Sequence, residues 1–150
     1  DPLEIFTDRE GEIILKKYSP IGEMGTFAKQ YAESLAQVSG HVALISDRDQ
    51  FIAVAGGMKN LLGKNISTQL ENVIEKRQLV MAGKEERAFV AMAEGEEAEY
   101  EQEAICPIIC EGDVIGSVIL LSTDSKKKMG EVEQKLVQSA GGFLGRQMEQ

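Results

Sequence analysis

The sequence has 150 residues, of which 43% are hydrophobic and 27% charged, enough for one compact domain with a core of its own. Aromatic residues make up only 5% and Trp is absent, so we expect a core of aliphatic side chains. No run of about 18 apolar residues occurs, so we expect no membrane-spanning helix. The net charge of −9 disfavours DNA binding by the body of the domain, because DNA affinity depends on Lys and Arg that displace counterions from phosphates.

The first eighteen residues predict a β-hairpin. Apolar and polar residues alternate from Leu3, residues 8–11 (DREG) carry turn chemistry, and the apolar run 13–15 (IIL) follows. An isolated two-stranded hairpin is marginal in water, so this hairpin needs a partner sheet. We therefore expect residues 1–18 to be either disordered or packed on a neighbouring chain, with Ser19-Pro20 as the boundary to the rest.

Residues 19–77 predict a helix, a strand hairpin and two further helices. Apolar residues spaced three and four apart indicate the first helix, and Ser67 is a good N-cap for the last. The predicted elements are helix 22–38, strands 41–46 and 51–55, short helix 58–63 and helix 67–77.

The rest of the chain predicts three strands and a long helix. Pro107 indicates an edge or a bulge in its strand, and Gly116 indicates a bulge or the close approach of another group. Gly141-Gly142 indicates either a weak helix or close packing against another helix. The predicted elements are irregular segment 78–86, strand 87–91, acidic loop 94–103, strand 104–110, central strand 114–122 and helix 125–150.

Motifs that carry chemistry are scarce. The single histidine, His41, stands at a strand boundary, where a structural role is the usual one, and no nucleophile elbow or phosphate-binding loop occurs. No ligand cluster has metal-binding spacing. Cys106 and Cys110 would lie about 13 Å apart along a strand, too far for a disulfide, which indicates free thiols in a reducing cytosol. We expect no catalytic residue, metal or cofactor; the enzymatic alternative, methionine sulfoxide reduction, would need these two thiols to react.

The order of elements predicts an α+β fold with a mainly antiparallel sheet of five to six strands. The first and last helices would cover one face, and residues 58–86 would cover the other face and close a pocket. In this order, residues 19–150 resemble a GAF domain. Three stretches further resemble the sporulation transcription regulators that join an AbrB-type swapped-hairpin DNA-binding domain to a GAF domain: DPLEIFTDREGEIILKKYSPI, HVALISDRDQFIAVAGG and MGEVEQKLVQSAGGFLGRQMEQ.

That resemblance implies a cytoplasmic regulator of forespore genes, activating or repressing, that forms homodimers or homotetramers through both modules. It also implies that residues 1–18 are the second half of the swapped-hairpin domain and that the basic, DNA-contacting half is missing. We therefore expect no DNA-contact residue in this chain and no binding to operator DNA.

Two sets of residues are candidate sites. The stripes of the terminal helices predict a homodimer interface, unless they only cover the sheet within one monomer; its residues are Phe27, Tyr31, Leu35, Leu136, Phe143 and Leu144. A pocket for an unknown small molecule would be lined by Val54, Met58, Leu62, Ile66, Leu70, Ile105 and Ser117. Because polar groups are scarce in this second set, a purely structural dimerisation domain with a filled pocket is the alternative.

Overall fold

A computed structural model of the chain describes residues 3–7, 13–17, 21, 25–95 and 98–149. The described part contains three α-helices, seven strands and one short 3-10 turn at Lys59–Leu61. In chain order the helices and strands are β1 Leu3–Thr7, β2 Ile13–Lys17, α1 Gly25–Ser39, β3 Val42–Ser46, β4 Phe51–Ala55, α2 Thr68–Glu75, β5 Val80–Gly83, β6 Gln102–Cys110, β7 Asp113–Ser122 and α3 Glu131–Gln147.

The predicted N-terminal hairpin has its two strands. β1 and β2 pair antiparallel, with Leu3 opposite Lys17 and Thr7 opposite Ile13. The predicted turn at 8–11 and the predicted boundary at Ser19-Pro20 lie outside the described residues. That residues 1–18 pack on a neighbouring chain stays a prediction.

The main sheet has five antiparallel strands in the order β4-β3-β7-β6-β5. β7 is the central strand, as its long apolar run predicts, and every residue from Gly116 to Ser122 is buried. Pro107 lies in the half of β6 that extends beyond β5, where β6 pairs only with β7 and is itself an edge of the sheet, as Pro107 predicted. A register shift follows between Ile108 and Ile109.

One edge of the sheet differs from the prediction. β5 is a strand in the segment predicted to be irregular, and it pairs with residues 102–105 of β6. Residues 87–91, predicted as a strand, form none. Their backbone groups bond to side chains instead: Glu103 accepts from the amide of Val90, and Gln69 accepts from the amide of Ala91. Because these amides are already bonded to side chains, they are not available to pair with a neighbouring strand.

The two faces of the sheet bury separate cores. α1 and α3 cover one face, as predicted, with small residues that let the helices lie close: Ala28 and Ala32 on α1, Ala140 on α3. α2 and its flanking loops cover the other face, where Leu70 and Ile74 are fully buried. The α+β architecture with both terminal helices on one face is therefore confirmed.

The helix boundaries are set by hydrogen bonds from side chains. Ser67 caps α2 as predicted, since its hydroxyl accepts from the amide of Leu70 at 3.0 Å. α3 begins at Glu131 rather than at 125, because acceptor side chains already hold the preceding amides: Gln102 accepts from Met129, and Glu133 accepts from Gly130. α1 ends at Ser39, one residue after its predicted end at 38. α2 ends at Glu75, two residues before its predicted end at 77.

Glycines mark the closest approaches of the backbone. The carbonyl oxygen of Ser46 lies where a Cβ of Gly116 would be, so the predicted close approach at Gly116 is confirmed. Gly141 packs against β6, with Cys106 Sγ 3.2 Å from the position of a Cβ. Of the two alternatives for Gly141-Gly142, close packing against another helix is corrected: Gly141 packs against a strand of the sheet, and Gly142 meets only Arg146 of its own helix.

Candidate functional site

The residues predicted to line a pocket form a filled core. Val54, Ile66, Leu70 and Ile105 are buried in one cluster on the face covered by α2, and Met58 packs against them partly exposed. Leu62 lies outside this group, with 56% of its surface exposed. Ser117 is fully buried, and its hydroxyl lies 2.6 Å from that of Ser46, so its polar group already has a protein partner.

Two solvent-open clefts lie at the surface of the described segments. One, of about 520 Å³, lies between the segment 63–66 and the pair Ala93 and Glu94. The other, of about 440 Å³, lies where β5 and β6 meet the loop before α3, and Lys84 and Lys128 line it together with acidic side chains. Of the predicted pocket residues, Ile66 lines the first cleft and none lines the second.

A carboxylate that the sequence analysis did not single out lies in the same core. Glu103 of β6 is fully buried, and its Oε1 accepts a 2.6 Å hydrogen bond from the amide of Val90. Its Oε2 has no hydrogen-bond partner among the described residues. Burial raises the pKa of Glu103 to about 8, although the hydrogen bond from Val90 works in the opposite direction. The usable signal in the sequence was period two: Glu103 shares a strand face with Ile105.

Residues 89–94, which we call the strap, cover Glu103. Tyr100 anchors them from below, since its hydroxyl donates to the carbonyl of Val90 at 3.2 Å and accepts from the amide of Met92 at 3.1 Å. Burial, and then the charge of Glu103, raise the pKa of the Tyr100 phenol, so it stays protonated and available to donate. The ring of Tyr100 also contacts Phe89, with centroids 5.2 Å apart.

The first turn of α2 holds the other side of the strap. Ser67 donates its hydroxyl to the carbonyl of Ala91, and its amide donates to the carbonyl of Met92 at 2.8 Å. Glu94 accepts from the amide of Thr68 at 2.9 Å, and this hydrogen bond lowers the pKa of the Glu94 carboxyl. The strap is thus attached chiefly by side chains rather than by strand pairing.

The residues predicted to form a dimer interface separate into two groups. Leu35 and Leu144 are buried under their helices, and Leu136 packs partly exposed against the same core, so these three cover the sheet within one chain. The aromatic cluster, which consists of Phe27, Tyr31 and Phe143, instead bridges α1 and α3 at the surface. Its rings lie 5.5 to 6.3 Å apart, and Phe143 is 37% exposed.

The two cysteines are free thiols. Cys106 packs on the helix side of the sheet beneath Gly141, away from the core that contains Ile105. Burial raises the pKa of both thiols, and at Cys110 the nearby acidic side chains raise it further. Both are therefore weak nucleophiles at neutral pH.

Neither a metal cluster nor a membrane span occurs in the part of the chain that the structure describes. No three His, Cys, Asp or Glu side chains there are grouped to hold a metal ion. None of the described helices is both long and apolar enough to cross a bilayer. The one histidine, His41, instead bonds Glu133 of α3 at 3.2 Å, which fits its predicted structural role.

Comparison with solved structures identifies the fold. The chain is similar to the GAF domain of an Acinetobacter phosphoenolpyruvate-protein phosphotransferase, with a TM-score of 0.65 and 15% identity over 83% of this chain and 81% of that one. It is also similar to residues 122 to 287 of a methyl-accepting chemotaxis protein, with a TM-score of 0.67 and 18% identity over 83% of this chain and 88% of that one. A third similar structure is the type II free methionine-R-sulfoxide reductase of Thermoplasma acidophilum, with a TM-score of 0.59 and 14% identity over 83% of this chain and 94% of that one. At these identities the likeness shows the GAF fold alone.

Sequence comparison is more specific. The family described as stage V sporulation protein T C-terminal, transcription factor, matches residues 23–149. The chain is 48% identical over 151 positions to stage V sporulation protein T of Bacillus subtilis strain 168, covering 100% of this chain and 83% of that protein. The chain therefore belongs to the stage V sporulation protein T family of transcription factors.

Proposed function

We propose that this chain is the regulatory part of a sporulation transcription regulator and that it acts as a homodimerisation module through α1 and α3. The family match and the identity to a sporulation protein support the regulatory role. The aromatic cluster of Phe27, Tyr31 and Phe143 is the observation that carries dimerisation.

The aromatic cluster has the properties of an interface centre. Its three rings join the two helices that cover one face of the sheet, and Phe143 leaves 37% of its surface in solvent. Aromatic side chains are enriched at the centres of protein interfaces, where burying them contributes most of the binding energy. In a two-fold dimer the same patch meets itself, so one such patch on each chain is enough.

A dimer through these helices gives a route to regulation. The hairpin of β1 and β2 precedes α1 in the chain, and we propose that it belongs to the swapped-hairpin DNA-binding module of a forespore regulator in the cytoplasm. A change in the packing of α1 against its copy would alter the spacing of two such modules. A ligand or partner that acts as the signal can shift this packing only to the extent that it binds one helix arrangement more tightly than the other.

The filled core favours dimerisation over binding of an apolar ligand at the predicted pocket. Val54, Leu70 and Ile105 already pack against one another, so an apolar ligand there would have to displace them. Catalysis has less support still, because burial raises the pKa of Cys106, and this thiol lies across the sheet from that core. We infer that the domain is not an enzyme.

Light scattering on surface variants tests the proposal. Phe143→Ser removes the most exposed ring of the aromatic cluster and should shift the protein from dimer to monomer. Leu79→Ser is the matched control, because Leu79 is equally exposed at 37% but lies outside α1 and α3. Circular dichroism checks that both variants are folded. Equal masses for the wild type and both variants would remove the basis for this interface.

A further inference from the structure

We propose that the buried carboxylate of Glu103 binds a small organic cation when the strap lifts, and that an N–H group of the cation pairs with Oε2 beside the ring of Tyr100. This inference is independent of the proposed dimer, because it concerns the opposite face of the sheet. Its three grounds are an unpartnered buried oxygen, the aromatic ring of Tyr100 beside it and the attachment of the strap.

The first ground is the buried carboxylate. Glu103 has no exposed surface, and its Oε2 has no partner among the described residues while Oε1 is held by Val90. A buried polar atom without a partner destabilises a fold, and an apolar side chain of similar size is often more stable at such a position. A carboxylate at this point therefore indicates a partner that brings its own hydrogen-bond donor.

The second ground is the chemistry around that oxygen. Tyr100 lies close enough to Glu103 for the charge of the carboxylate to raise the pKa of its phenol, and the ring of Tyr100 packs against Phe89. A carboxylate beside aromatic faces is the combination that recognises ammonium and guanidinium groups. An anion would be repelled by Glu103 and by the net charge of −9.

The third ground is access. Phe89, Val90 and Ala91 are all partly exposed, so the segment that bonds to Glu103 lies at the surface of the domain. Near Glu103 the strap is held by the amide of Val90 and by the two hydrogen bonds of the Tyr100 hydroxyl. Lifting this part of the strap breaks no strand pairing. It does break the hydrogen bond from the amide of Val90 to Glu103, and an N–H group of the bound cation can replace that donor.

Proton release follows from the same geometry. Glu103 lies opposite Ala82 of β5 and Leu121 of β7, neither of which titrates, and Tyr100 is the titratable group that packs on it within the described segments. Burial raises the pKa of Glu103 to about 8, so the empty site holds a proton at neutral pH. A bound cation replaces that proton, and the affinity should therefore rise with pH up to about 8.

Titration of the ¹⁵N-labelled chain with methylammonium and methylguanidinium chloride at pH 8 tests the site. Saturable shifts are expected for the amides of Val90 and Met92, whereas sodium acetate at the same ionic strength should cause none. Glu103→Gln keeps an acceptor for Val90 but removes the charge, so it should weaken binding about ten- to a hundredfold. Glu99→Gln, an exposed carboxyl in the adjoining loop, should bind as the wild type does.

Three results would overturn the site: no saturable shift with either cation, equal shifts with acetate, or equal affinity in the wild type and Glu103→Gln. A pH series on the wild type decides the matter if that variant does not fold. The affinity should fall by about fivefold from pH 8 to pH 7 and by about tenfold from pH 7 to pH 6. An affinity that does not change over this range would also contradict the proposal.

Discussion

Gly145 of α3 lies directly on the backbone carbonyl of Ile109 in β6, so that a Cβ at residue 145 would overlap the oxygen. The helix therefore approaches the sheet more closely than any other residue type would allow. Gly145→Ala should lower the free energy of unfolding by about 1 to 3 kcal/mol, since the helix or the strand must shift. Urea unfolding followed by circular dichroism measures this loss.

The matched control is one turn earlier in the same helix. At Gly142 a Cβ would meet only the guanidinium of Arg146, at 3.7 Å, which is ordinary contact. Gly142→Ala should therefore stabilise the protein, by up to about 1 kcal/mol, because alanine favours the helix interior. Equal effects of the two substitutions would show that close packing does not fix the glycine at residue 145.

These glycines show what the sequence can and cannot predict. The pair Gly141-Gly142 indicated either a weak helix or close packing against another helix, but Gly141 packs against β6 and Gly142 meets only Arg146 of its own helix. Spacing along one helix shows which face lacks side chains and not which surface packs against that face. The packing partner is β6, and among the glycines of α3 the tightest contact is that of Gly145, which lies outside the glycine pair. The identity of a packing partner depends on the sheet order, which local patterns do not encode.

Glu103 should make stability fall as the pH rises. Its pKa is about 8 in the folded protein against an ordinary 4.5, so between these values the folded state keeps a proton that the unfolded state releases. Stability from this group is therefore greatest below pH 4.5 and decreases up to about pH 8, by up to about 5 kcal/mol. Thermal unfolding of Glu103→Gln should lack this decrease.

Other groups also titrate in this range, so the comparison uses the difference between variants. Glu99→Gln removes an exposed carboxyl from the adjoining loop and should follow the wild-type curve. If the wild type and Glu103→Gln have parallel pH profiles, the carboxyl of Glu103 is ionised in the folded state and the assignment is wrong.

His41 and Glu133 should stabilise the start of α3. Burial alone would raise the pKa of Glu133, but the hydrogen bond from Gly130 and the contact with His41 lower it below its ordinary value. This stabilisation is present above pH 4.5 and is lost as the pH falls through the lowered value. Glu133→Gln should reduce the free energy of unfolding at pH 7 by about 1 kcal/mol.

Glu131→Gln is the control for that measurement. Glu131 pairs with Lys135 at 2.9 Å on the exposed side of the same helix, where an ion pair contributes less than about 0.5 kcal/mol. A loss at Glu131 as large as that at Glu133 would indicate a general charge effect at the helix start rather than the specific contact with His41.

The thiols should be slow to react and dispensable. Burial raises the pKa of Cys106 and Cys110, so alkylation by iodoacetamide at pH 7 should be slower than that of a free cysteine peptide. Cys106, which packs under α3, should be the slower of the two. The double substitution to Ser should leave oligomeric mass unchanged, whereas methionine sulfoxide reductase activity that disappears with it would restore the enzymatic alternative.

Much of the fold, but less of the site, could be read from local pattern. The apolar run of β7 identified the central strand, and the stripes of α1 and α3 placed both helices on one face. Residues 87–91 were misassigned because Gln69 and Glu103, remote in sequence, take up their amides. Glu103 was missed for the same reason: a carboxylate in an acidic stretch looks solvated until β5 and the strap cover it.

Sedimentation velocity of the unmodified chain across the micromolar range tests dimerisation through α1 and α3 most directly. We expect a species of twice the 16.4 kDa of one chain, with a dimer fraction that rises with concentration. Phe143→Ser should move the whole curve to higher concentration. A single species of 16.4 kDa at the highest concentration reached would contradict dimerisation through α1 and α3.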